Sequence, residues 1–264
     1  MSVPAFDLGA PAVFVTGTDT GVGKTVVAGM LVAAARQCGV RVGVMKPVES
    51  GCRKFDGRPV PQDAVFLREL AGCRTPLDAV TPYALEHPLA PALAAEMEDV
   101  VIDVGRIVLG FRSLAAQYSC VVVEGAGGLL TPLAGGLTMR DLAAQLRVPV
   151  LIVARNTLGA INHASLTVES ARAAGLEVLG IVLNRVGFEQ DAATRTNAVS
   201  LRRWGRAHLI GEVPFLPSLD SGTLAMYGFH LAEQISIAWA RAHPRDLRAQ
   251  HAALRRRRRG ERRA

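Results

Sequence analysis

Apolar residues fall in short, nearly unbroken runs along this chain, and longer stretches with helical spacing separate them. Residues 13–16 (VFVT), 41–46 (RVGVMK), 120–128 (CVVVEGAGG), 148–155 (VPVLIVAR), 176–185 (LEVLGIVLNR) and 208–217 (HLIGEVPFLP) read as buried strands. Runs without polar alternation suit strands covered on both faces. Helical spacing occupies 24–38, the apolar stretch after Asp63, 100–118, 141–146, 164–175, a segment reaching about Trp204, and 224–240. Pro82, Pro88 and Pro91 interrupt 81–95, which reads as irregular or as a helix entry. Strand alternates with helix throughout, and no repeat or composition shift divides the body. The pattern predicts one α/β domain over 12–243, a doubly wound, mostly parallel sheet with helices on both faces. Residues 1–11 are a lead and 244–264 an Arg-rich tail.

The densest chemistry lies in residues 12–25, AVFVTGTDTGVGKT. A strand, a glycine-rich turn and a helix opening on Lys24-Thr25 form an anion cradle of the P-loop NTPase type. Free N–H groups and the helix dipole at such a start attract phosphate. Gly21 and Gly23 permit close approach and positive φ. Lys24 can reach the outer phosphates, and the Thr25 hydroxyl can meet a Mg²⁺ ion. The spacing departs from GxxxxGK[ST] in one respect: Gly17 stands one residue early, and Thr18 occupies the first glycine position.

Charge changes the picture less than it first suggests. The chain has a net charge of +7, but its last twenty residues carry nine arginines against Asp246 and Glu261. The body is near neutral, and the tail reads as a solvated, disordered run. Contact of that run with nucleic acid or an anionic membrane is the lesser reading. Lysine is used sparingly: Lys24, Lys46 and Lys54 stand beside 27 arginines. Lys24 and Lys46 both follow predicted strands, where a compact ammonium and a planar guanidinium are not interchangeable. No apolar run is long enough to span a membrane. The start lacks a signal-peptide pattern. Cys38, Cys52, Cys73 and Cys120 form no CxxC. These features fit a cytoplasmic protein with reduced thiols.

Further candidates sit after successive strands, where ligands collect in open α/β sheets. Residues 48–62, rich in Gly, Pro and charge, read as a loop there. Asp63 suits a helix N-cap or a Mg²⁺ contact, and both readings stand. Glu124, after three valines, is poorly explained by packing; it reads as an acid in a metal's shell rather than as a solvated strand end. Asn162 can cap the helix that follows it. His163 suits a structural hydrogen bond.

GTDTGVGKT, KPVESG, Asp63, PYALEHPLAP, VVVEGAGGLLTPL, LGAINHASLT and GIVLNR occur in the order found in dethiobiotin synthetases, and the chain resembles that family over about 12–217. The resemblance implies ATP- and Mg²⁺-dependent closure of a ureido ring on 7,8-diaminononanoate with CO₂, in biotin synthesis. It implies that Lys24 and Lys46 neutralise the γ-phosphate and a carbamate. Thr25, Asp63 and Glu124 would hold Mg²⁺. Gly21, Val22, Gly23, Lys24, Thr25 and Val26 would wrap the phosphates, and Glu124, Gly125, Ala126 and Gly127 would approach nucleotide and metal. Asn184, with Arg185 beside it, and Pro214, Phe215 and Leu216 would hold the adenine. Thr20 and Ser50 would meet the diamine. Leu158, Gly159 and Asn162 of a neighbouring subunit would receive the substrate carboxylate, implying a homodimer. Ala92, Gly21 and Arg185 depart from residues common in the family. Two alternatives are weaker. A dimer-switch ATPase would carry a lysine where Asp19 stands, and a glutamine-dependent amide synthetase would need a nucleophilic cysteine with a histidine partner.

Overall fold

A computed structural model of the chain describes residue 6 and residues 8–243. The elements run β1 (Ala12–Gly17), α1 (Lys24–Gln37), β2 (Val42–Met45), β3 (Val48–Glu49), β4 (Arg53–Phe55) and β5 (Arg58–Val60). Then come α2 (Gln62–Ala71), α3 (Leu77–Val80), β6 (Tyr83–Ala84), α4 (Pro91–Met97) and α5 (Val104–Gln117). β7 (Cys120–Gly128), β8 (Pro132–Ala134), β9 (Leu137–Thr138), α6 (Met139–Leu146) and β10 (Val150–Arg155) follow. The last are α7 (Ala160–Ala173), β11 (Val178–Asn184), α8 (Ala192–Trp204), β12 (Leu209–Val213) and α9 (Ser221–Ala242).

Six strands form one sheet in the order β12-β11-β10-β1-β7-β2. Every neighbouring pair in it is parallel. The fold is therefore the expected doubly wound α/β sheet, and the apolar runs show why. On β1, Val13 and Val15 pack with α1 and α9 on one face. Phe14 turns to the other face, among Ile107 and Leu114 of α5 and Leu142 of α6. Farther along the sheet, Ile152, Ile181 and Leu183 pack under α7 and α8. Each such side chain taken from water contributes about 1.5–3 kcal/mol. α1 is apolar nearly all round because it is covered twice, by the sheet and by α9. Gly228 makes that second contact close: a Cβ there would meet the Met30 carbonyl oxygen at 1.9 Å. All six strands point their carboxyl ends to one edge, where the site lies.

Several local expectations need correction. The stretch 48–62 is not all loop. β4 and β5 pair antiparallel about Asp56-Gly57, both at positive φ, the geometry of a tight two-residue hairpin. Asp63 is not the N-cap of its helix; α2 begins at Gln62 after Pro61, so Asp63 sits in the first turn. Asn162 caps nothing either. α7 starts at Ala160 behind Gly159, whose φ of 91° suits only glycine. β7 runs over the expected residues, Cys120–Gly128. Within 81–95 the chain makes the short strand β6 and then enters α4 at Pro91, a favoured first position for proline.

The lead is not separate from the body: Leu8 is buried in the main core with Phe6 packed against it. The Arg-rich tail expected at 244–264 lies outside the described residues. Among the described residues, no helix is long and apolar enough to cross a membrane.

Candidate functional site

β1 delivers the chain to Gly17, and the Thr18 amide donates to the Val153 carbonyl on β10 at 2.9 Å. The loop then folds back over itself. A Cβ at residue 17 would lie 2.7 Å from the Asp19 carbonyl oxygen and 3.1 Å from Lys24 Nζ. The early glycine thus stands where backbone and lysine cross, and residue 18 has no such demand. Gly21 and Gly23 both take positive φ, 69° and 94°. Lys24 opens α1, is 6% exposed, and donates to the Asp19 carbonyl at 3.0 Å.

The neighbouring strand supplies the acid. β7 lies beside β1 with Glu124 opposite Val15, which brings the carboxylate beneath the start of α1. Thr25 Oγ1 donates to Glu124 Oε1 at 2.8 Å. Lys46, just past β2, donates from Nζ to the same oxygen and to Asp63 Oδ2 at 2.8 Å. Glu124 is 1% exposed, and its Oε2 has no hydrogen-bond partner among the described residues.

Two ammonium groups therefore share one cleft, in different states. Burial, with repulsion from Lys46 second, pulls Lys24 down to about 8. Burial acts on Lys46 as well, but the Glu124 and Asp63 carboxylates outweigh it and hold Lys46 above the ordinary lysine value. Burial pushes the Glu124 carboxyl up, against the pull of Lys46.

A cavity of about 350 Å³ opens over these groups. Of the expected phosphate and metal residues, Gly21, Gly23, Lys24, Thr25, Val26, Asp63, Glu124, Ala126 and Gly127 line it. Lys46, Thr20 and Ser50 line it as well. The other expected residues lie elsewhere. Val22 is buried, and its carbonyl accepts from Asn184 Nδ2 at 2.8 Å. Gly125 packs on Phe14, whose ring a Cβ would meet at 2.8 Å. Arg185 lines a second cavity of about 820 Å³ with Arg155 and Phe188. Pro214 and Leu216 are half-buried beyond β12, and the Phe215 ring lies 4.2 Å from that of Phe188. Leu158 is 81% exposed and Asn162 is exposed, both near the start of α7 with Gly159.

One residue of the cleft escaped the sequence reading. Glu49 is buried, and its two oxygens each accept a backbone N–H at 3.0 Å, from Asp63 and Ala64. A carboxylate from β3 thus caps α2, where the helix has no cap of its own and the dipole favours negative charge. Glu49 also fixes where Asp63 presents its side chain. Nothing local marks such a cap, because the partners are fourteen residues apart across a hairpin.

A strand, a glycine turn, a lysine at the first helical position and an acid on the adjacent strand define a P-loop nucleotide-binding protein. A family model described as an AAA domain matches residues 11–223. An ATP-dependent dethiobiotin synthetase BioD of Anaeromyxobacter dehalogenans (strain 2CP-C) is 48% identical over 222 residues, covering 84% of this chain and 97% of the relative. Another so named, from Thermodesulfovibrio yellowstonii, is 36% identical over 235 residues, 85% of this chain and 98% of the relative. The chain belongs to the ATP-dependent dethiobiotin synthetase family. Among solved structures, the septum site-determining protein MinD with Mg-ADP from Pyrococcus horikoshii is similar at a TM-score of 0.51 and 18% identity, covering 85% of this chain and 95% of that one. That likeness shows the shared fold.

Two measurements probe this geometry. Glu49→Ala leaves a buried N–H (Ala64) and a part-buried one (Asp63) unpaired and is expected to lower unfolding stability by about 1–3 kcal/mol in urea titration, with Glu49→Gln, which keeps one acceptor, falling between. Lys24 at about 8 is partly neutral in mildly alkaline solution, and a bound triphosphate favours its charged form. ATP binding at pH 8.5 should therefore take up protons, and at pH 6.5, where Lys24 is already charged, it should not. Calorimetry in buffers of different ionisation enthalpy checks this.

Proposed function

We propose that this chain forms dethiobiotin from 7,8-diaminononanoate, CO₂ and ATP. The observation that carries the reading is the pairing of Lys46 with Asp63 and Glu124 in the cleft that Lys24 and Thr25 enter. The cleft brings two ammonium groups to one place, which suits phosphoryl transfer, where alignment and neutralisation do most of the work.

In the reading, one substrate amine adds to CO₂ and loses a proton, leaving a carbamate. A carbamate oxygen attacks the γ-phosphorus of ATP, ADP departs, and a carbamic–phosphoric anhydride forms. The second amine attacks the carbamoyl carbon, closes the ring and expels phosphate. Lys46 stays charged through its carboxylate partners and neutralises the carbamate and the incoming phosphoryl group. Lys24 binds the outer phosphates, whose charge restores the proton that burial disfavours. Gly21, Val22, Gly23 and Val26 wrap the phosphate chain, and Gly125, Ala126 and Gly127 approach the nucleotide. Thr20 and Ser50 orient the diamine.

The donor set fits Mg²⁺: Glu124 keeps an unpartnered buried oxygen, the Thr25 hydroxyl lies against the same carboxylate, and Asp63 is partly open to solvent. Thr25, Asp63 and Glu124 would hold the ion, which when bound neutralises phosphate oxygens. Asn184 spends its amide N–H on Val22, so its oxygen is left to accept from the adenine amino group. Arg185, Pro214, Phe215 and Leu216 would border the base. Leu158, Gly159 and Asn162 would serve the substrate carboxylate of a partner subunit in a cytoplasmic homodimer; their exposure suits such a contact.

Purified protein given 7,8-diaminononanoate, bicarbonate, ATP and Mg²⁺ is expected to yield dethiobiotin, ADP and phosphate in equal amounts. Intact ATP binding without product would overturn the reading. Lys46→Arg is expected to lower turnover by about a hundredfold with an unchanged circular dichroism spectrum, because a planar fork cannot replace a point charge between two carboxylates. Unchanged turnover would remove Lys46 from the mechanism.

A further inference from the structure

Two peptide units of the phosphate loop adjoin a glycine. The Gly21–Val22 unit follows Gly21, and the Val22–Gly23 unit precedes Gly23; both glycines sit at positive φ. A unit turns about ψ of the residue before it and φ of the residue after it, so Gly23 lets the Val22–Gly23 unit flip, whereas the Gly21–Val22 unit turns about Gly21 ψ only as far as the φ of Val22 allows. The direction of a flip matters here. In a planar trans peptide the C=O and N–H point opposite ways. A carbonyl turned toward the phosphates would replace an attractive N–H with a repulsive oxygen.

Each of these carbonyls is held by a side chain from the end of a strand. Val22 O accepts from Asn184 of β11, and Gly21 O accepts from Arg155 Nη2 of β10 at 3.0 Å. Arg155 is itself exposed, and nothing in the proposed chemistry uses it. Its guanidinium lies against the loop, 3.3 Å from where a Cβ on Gly21 would be. Asp19 O is held similarly, by Lys24 Nζ.

We propose that Arg155 is a positioning residue for the nucleotide. It acts through the Gly21 carbonyl, fixing the Gly21–Val22 peptide so that the Val22 N–H is presented for phosphate binding. The proposal rests on the cradle binding a nucleotide and deepens that part of the functional reading. An arginine suits the task because its charge survives at any working pH and its planar fork is already ordered.

The test compares Arg155→Ala and Arg155→Lys with the parent, reading the Kd of Mg-ATP by calorimetry. Arg155→Ala is expected to weaken ATP about tenfold, the scale of one charge-assisted hydrogen bond. Arg155→Lys should recover part of the loss. The KM for 7,8-diaminononanoate and the unfolding midpoint of the nucleotide-free protein should not move. An unchanged ATP Kd in Arg155→Ala would overturn the proposal. So would a loss of ATP affinity accompanied by a lower unfolding midpoint and no recovery in Arg155→Lys, the signature of a purely structural residue. Because ATP binding is read without product, a chain that binds ATP and makes no dethiobiotin would fail the ring-closing reading while leaving this one standing.

Discussion

Burying positive charge is the constraint on which this cleft turns. An ammonium group taken from water either finds a counter-charge or loses its proton. The two lysines meet that demand in opposite ways. Lys46 is compensated inside the protein by Glu124 and Asp63 and keeps its charge. Lys24 bonds only a backbone carbonyl among the described contacts, and its pKa falls to about 8. Of the two, one charge is prepared by the protein and the other is left for an anion to complete. A cleft that compensated both would bind phosphate weakly, and one that compensated neither would tend to discharge them.

The sheet makes that arrangement possible. Placing β7 between β1 and β2 sets Glu124 midway between the cradle and Lys46. A one-residue slip of β7 would turn the carboxylate to the opposite face of the sheet, away from both. Val121 and Val123 on one face and Val122 on the other oppose such a slip, since each fills its own core. Packing far from the chemistry thus protects the register that the chemistry uses. α2 is fixed in a comparable way by Glu49, which ties its first turn to β3 and so brings Asp63 to Lys46.

These two routes explain what was legible in the sequence. Unbroken apolar runs announced the six core strands, helical spacing announced the main helices, and the lysine at the helix start announced the cradle. Glu124 was legible because an acid after three valines conflicts with packing. Glu49, Arg155 and the true position of Asp63 were not, since each depends on a contact across the fold rather than on its neighbours in the chain. Asn162 misled because a good capping residue stood three positions inside a helix that glycine begins. The glycine turn at Gly57 was visible as a breaker, but nothing in its surroundings told a hairpin from an open loop.

Fold and site also answer different questions. The MinD structure shares the fold at 18% identity, so topology alone leaves the chemistry open. The cleft narrows it through its charge balance. Glu49, Asp63 and Glu124 face two lysines, and Glu49 is offset by the α2 dipole. What is left is two carboxylates against two ammonium groups, a cleft without surplus positive charge to meet a bare triphosphate. In the proposed reading, a divalent cation held by Asp63 and Glu124 would offset both carboxylates and leave the ammonium groups to the phosphates.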